Sequence, residues 1–171
     1  MNELVRRTVL SAASRIFPLM TAMVASLVGL IAVPAPDYSH IAPAFTLIAV
    51  YCWSIWRPDL MPLLAVFLIG VFEDMIRGLP LGVTALVLLT AAIFAQNWRG
   101  LVLERSWKRF LSTFCRVVLL CMAIEWLAMS ILIGDLLDPT AALLRYLLTM
   151  LLLPVGTAIL LTIRRVGIRD I

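Results

Sequence analysis

Charge is the scarcest commodity in this chain. Only 14% of its 171 residues are Asp, Glu, Lys or Arg, and a single lysine, Lys108, stands among 14 basic residues. A soluble domain carries about 25% charge and about 45–50% apolar residues, whereas 63% are hydrophobic here and the mean hydropathy is +1.06. Histidine is nearly absent too. His40 is the only one, and with no partner at metal or triad spacing it excludes a His-based metal centre and a Ser–His or Cys–His nucleophile. There is no Gly-rich phosphate loop, so a nucleotide enzyme of that kind is excluded as well. The three cysteines, Cys52, Cys115 and Cys121, lie in apolar runs without metal spacing and read as small buried hydrophobes. An intramembrane aspartyl enzyme needs two facing Asp, and Asp74 has no such mate. No catalytic residue, metal or cofactor is expected, and with no dense basic cluster no nucleic-acid partner either.

What is present is a series of long apolar runs. They do not alternate as barrel strands do, and a spanning helix needs about 20 such residues. The expected fold is all-α, an integral membrane bundle of six transmembrane helices in one domain, 1–171. The expected spans are about 16–33, 41–56, 60–76, 81–95, 110–133 and 141–163. The basic flank and apolar body of the first run imitate a signal peptide, but the run is long and Pro36 would follow the cut, so it is expected to be retained.

Sidedness follows from the basic residues. The N-terminal tail, the 57–59 turn, the 96–109 connector and the C-terminal tail hold eleven of the 14, while the other three loops hold only Arg77. The positive-inside rule then puts both termini in the cytoplasm, with multi-pass insertion. Tyr51, Trp53 and Trp56 read as an interfacial aromatic belt. Asp59 reads as the N-cap of the third span, with Pro62 in its first turn, and Pro154 with Gly156 as the site of a kink in the sixth. The connector is either a positive-inside loop or a docking segment for a cytoplasmic protein or anionic lipid. Arg116 can snorkel to water.

The informative stretch is Leu60 to Ala85. Small and acidic residues recur at a step of four: Gly70, Asp74, Gly78 and Gly82. Glu73 and Arg77 add charge within the same apolar hairpin, where an unpaired charge costs roughly 2.5–3.5 kcal/mol on insertion scales. One reading leaves Glu73 and Asp74 wet at the outer interface. The other turns Asp74 inward, to cap the next helix or to pair with an arginine. Acids prefer helix N-termini, and Asp74 falls at a C-terminal end, which argues for a specific partner. Deeper in the membrane, Glu125 and Arg145 fall on helices joined by a short loop and are expected to form an ion pair, with Asp74–Arg145 as the rival. Ala22, Ala25, Ser26 and Gly29 make a small-residue seam for close helix packing.

The pattern Gly70-x3-Asp74-x3-Gly78-x3-Gly82, with Leu81 before the last glycine, resembles the MreD family of rod shape-determining membrane proteins. The aromatic-rich helix ending in Arg57-Pro58, the length and the basic tail after Pro154 are similar to that family as well. Residues 41–96 carry most of the likeness. Glu73 and Arg77 depart from it, placing charge where small or polar residues are usual. The resemblance implies a non-catalytic scaffold of the cell-elongation machinery that supports peptidoglycan synthesis. Its implied partners are a bitopic MreC-like protein, and beyond it a RodA-type polymerase, a class B penicillin-binding transpeptidase and MreB, together with membrane lipids. It also suggests an alternative from another class, because the family looks like the vitamin-binding subunits of energy-coupling-factor importers.

Overall fold

The computed structural model describes residues 17–29, 43–100, 107–136 and 138–167. Residues 1–16 and 30–42, positions 101–106 of the connector, position 137 and the last four residues lie outside them. Expectations about both tails, about His40 and about signal-like processing therefore fall outside the described residues.

Six α-helices of more than two turns are present among the described residues: α1 (Phe17–Gly29), α2 (Phe45–Trp56), α3 (Leu63–Arg77), α4 (Val83–Asn97), α5 (Trp107–Ile133) and α6 (Pro139–Gly167). No strand occurs among those residues. Two helices, α5 and α6, are long and apolar enough to cross a membrane. The 12 residues of α2 and the 15 each of α3 and α4 rise about 18–22 Å, short of a hydrocarbon core of about 30 Å.

The centre of the molecule is α2. Every residue from Thr46 to Ile55 is buried, as expected of a helix apolar on all sides. It packs against α4 and α6, and α4 in turn packs against α3 and α5. This corrects the aromatic-belt expectation. Tyr51 and Trp53 have no exposed surface, because their rings fill the core. Tyr51 stacks edgewise on Phe110 and Phe114 of α5, at 5.7 and 4.9 Å, and Trp53 on Phe17 of α1 at 6.2 Å. The seam on α1 faces inward, with Ala22, Ser26 and Gly29 buried and Ala25 half-buried.

The start of α3 also differs from expectation. Asp59 sits in a separate 3-10 turn, Pro58–Leu60, and Pro62 is the N-cap, with φ −64° and ψ 145°. A residue before proline is pushed out of the helical region. Met61 obeys this at φ −124° and ψ 67°, so no helix can run from Leu60 into Leu63. At the other end of the bundle α6 continues through Pro154, and Gly156 brings it against α2, where an added Cβ would lie 3.2 Å from Ile48 Cγ2. The outward faces of α5 and α6 are apolar, with Leu119, Leu127, Ile131, Leu147, Leu151 and Ile159 each about half exposed or more.

Candidate functional site

The α3–α4 hairpin explains its own spacing. Gly70 is where the two backbones meet, since a Cβ there would fall 2.3 Å from Ala85 Cα. One turn later Asp74, fully buried, sends both carboxylate oxygens across the hairpin. The Gly82 N–H donates to Oδ2 at 2.8 Å and the Thr84 N–H to Oδ1 at 3.0 Å. These are orphan donors at the start of α4, the positive end of its dipole. Asp74 thus stands at the C-terminus of its own helix and serves the N-terminus of the next. Its carbonyl is used as well, accepting the N–H groups of Gly78 and Leu79. Gly78 takes a left-handed φ of 65° to end α3, and Gly82 a φ of 101° to start α4. Glycine carries such angles without the penalty a Cβ brings.

The remaining charges gather beside this cap. Glu73, 3% exposed, pairs with Arg77 at 2.7 Å across one turn of α3. Arg77 Nη2 passes over Gly29 of α1, 3.4 Å from where a Cβ would sit. Glu125 on α5 accepts a hydrogen bond from Arg145 Nη1 on α6, and both side chains are largely buried. Arg77 also lies within electrostatic reach of Glu125 and Arg145, so the two ion pairs form one cluster. The reading that leaves Glu73 and Asp74 wet is overturned by their burial. The rival Asp74–Arg145 pair does not form, because both Asp74 oxygens are taken by backbone donors.

Three carboxylates against two guanidiniums leave one negative charge in excess. The fold supplies a counterweight in helix ends. Thr46 and Leu47 in the first turn of α2 and Thr84 in the first turn of α4 line the same small cavity as Glu73, Glu125 and Arg145. Each of these N-termini carries partial positive charge, which favours the carboxylates beside it.

Several contributors gave little sequence signal. Thr84 acts through its backbone N–H, visible only once Gly82 is taken as the N-cap. Thr149 ties α6 to the start of α2, its hydroxyl accepting the Ala44 N–H at 3.2 Å and donating to Arg145 O at 2.7 Å; its position one turn after Arg145 was the only clue. Ala85 is the surface against which Gly70 is fitted. No group of three His, Cys, Asp or Glu side chains that could hold a metal occurs among the described residues.

The described residues form an all-helical bundle with two helices long and apolar enough to cross a membrane, a buried charge cluster and exposed apolar faces, the build of an α-helical membrane protein. The family model described as rod shape-determining protein MreD matches residues 12–163, nearly the whole chain, and the chain belongs to that family. Its role is therefore in rod shape determination, in a membrane family that is generally non-catalytic. No curated protein and no solved structure matches it.

Proposed function

We propose that the chain is a non-catalytic subunit of the cell-wall elongation machinery in the bacterial inner membrane. In this reading it crosses the membrane six times with both termini cytoplasmic, and it binds a bitopic MreC-like protein in the membrane plane. Through that contact it supports peptidoglycan synthesis by a RodA-type polymerase and a class B transpeptidase, aligned with MreB. The observation that carries the reading is how the buried charge is used. Asp74 is spent on Gly82 and Thr84, Glu73 on Arg77, and Glu125 on Arg145. Groups committed to partners within the bundle support a structural role, and the exposed apolar faces of α5 and α6 remain for helix–helix contact.

The importer-subunit alternative asks for a roomy polar pocket, since small-molecule sites run to about 300–1,000 Å³. The cavity at the charged cluster is about 10 Å³. A larger hollow of about 320 Å³ opens sideways between α5 and α6, and it is lined by Leu119, Met122, Ala123, Leu143 and other mainly apolar groups. The first is too small for a vitamin, and the second, though large enough, presents too little polar surface to orient one.

The test is purification of the tagged protein in mild detergent with mass spectrometry of what accompanies it. Recovery of MreC-like and wall-synthesis proteins, lost with Asp74→Ala or Gly78→Leu, supports the scaffold. An ATPase pair or a bound vitamin in their place refutes it.

A further inference from the structure

The two ion pairs each close within their own hairpin, Glu73–Arg77 in α3 and Glu125–Arg145 between α5 and α6. Between them lies the cavity of about 10 Å³ lined by Thr46, Glu73, Thr84, Glu125 and Arg145. Three polar atoms of its lining residues are buried with no hydrogen-bond partner: Glu73 Oε2, Thr46 Oγ1 and Arg145 Nε. Glu73 and Thr46 are 3% and 2% exposed. An unsatisfied buried polar atom is costly, and three around one void is a pattern that a single ligand resolves.

We infer that this cavity holds one internal water, which joins the α3–α4 hairpin, the α5–α6 hairpin and the first turn of α2. The chemistry selects water over an ion. Arg145 Nε offers a hydrogen, Glu73 Oε2 needs one, and the Thr46 hydroxyl can give or receive. Water, with two donors and two acceptors, meets all three. A metal cation would satisfy the oxygens but would face the Arg145 guanidinium, and an anion would face Glu73 and Glu125. The volume matches as well, since one water needs at least about 10–15 Å³ and two to four polar partners. The water completes a polar network that ties helices from both halves of the chain.

Two measurements on the full chain in detergent test this. The first is thermal unfolding of Thr46→Val, which deletes the hydroxyl at nearly constant volume. With the water present the substitution removes one of its partners, and the melting temperature falls by about 2–4 °C. The effect should also be non-additive with Glu73→Gln. With a dry cavity the same change removes an unsatisfied hydroxyl, and the melting temperature rises. The second is synchrotron hydroxyl-radical footprinting of the unaltered protein, in which a bound water produces radicals in place. Leu47 and Leu88 line the cavity, and Leu153 is equally buried away from it. Oxidation of Leu47 and Leu88 at several times the level of Leu153 is expected; equal oxidation overturns the proposal. Should Thr46→Val not yield folded protein, the footprint decides alone.

Discussion

Gly70→Ala is the smallest change that tests how the hairpin is built. The added carbon would lie 2.3 Å from Ala85 Cα, 2.7 Å from Ala85 N and 2.9 Å from Ala85 Cβ. Ordinary contact begins near 3.4 Å, so the first turn of α4 must retreat by about 1 Å. Overpacking of this kind costs about 1–3 kcal/mol. The retreat also carries the Thr84 N–H, now 3.0 Å from Asp74 Oδ1, out of hydrogen-bond range, and a bond to a charged acceptor is worth about 1.5–3 kcal/mol. Against this, alanine gains about 1 kcal/mol over glycine in a helix. The net loss is about 1.5–5 kcal/mol, a fall in melting temperature of roughly 3–20 °C for a chain of this size. Cys52 and Cys121 are buried, so a thiol-reactive dye reports unfolding in detergent without added labels. The nearest atoms are backbone, so Ala85→Gly in the same molecule should not rescue. A Gly70→Ala protein that melts within a degree of the parent, or above it, would refute the close-approach argument, and so would full rescue by Ala85→Gly.

Three further outcomes follow from the same geometry. Asp74→Asn keeps one acceptor oxygen for two N–H donors, so folded yield should drop, and Asp74→Ala should drop it further; an Asn variant equal to the parent would contradict the double cap. For Glu125 and Arg145, each single change to Met should cost about 3–5 kcal/mol by leaving a buried charge unpaired, while the double change should recover most of the loss; additive losses in the thermal-unfolding cycle would rule the pair out. At the N-terminal end of α6, the Thr140 N–H bonds the exposed Asp138 carboxylate at 3.0 Å and holds its pKa below the ordinary 3.8. A depressed folded value means that the stabilisation is present above the unfolded pKa and is lost as pH falls through the folded one. The melting difference between parent and Asp138→Ala should therefore be constant near neutrality and shrink below about pH 4; a difference that grows on acidification would reverse the sign.

The apolar runs at 60–76, 81–95, 110–133 and 141–163 overlap the helices α3, α4, α5 and α6, with ends that differ by at most four residues, because long apolar runs broken by Gly-Leu-Pro or Asp-Pro leave few alternatives. The step of four through Gly70, Asp74, Gly78 and Gly82 was legible for a related reason: each residue type has a narrow set of uses at a helix end. The identity of each partner was less so. Asp74 could serve a helix end or Arg145 by spacing alone, and only the positions of Gly82 and Thr84 decide between them. Tyr51 and Trp53 misled because an amphipathic ring is at home both at an interface and in a core, and a short helix carries no mark of which. Glu73 was ambiguous because its burial depends on residues distant in sequence, Thr46 of α2 and Glu125 and Arg145, which line the same cavity. Thr149 and Ala85 lie far along the chain from Ala44 and Gly70, and nothing local announces contacts of that range.

The burial of α2 has a consequence for biogenesis. Synthesis runs from the N-terminus, so α2 leaves the ribosome before α4, α5 and α6, the helices that enclose it, have been made. A segment of 12 residues is too short to span the hydrocarbon core by itself, so it has no stable resting place until they arrive. The amide of Ala44, its N-cap, finds its acceptor on Thr149 of the last helix. The centre of the molecule is therefore the part that settles last, and truncation within α6 should release it.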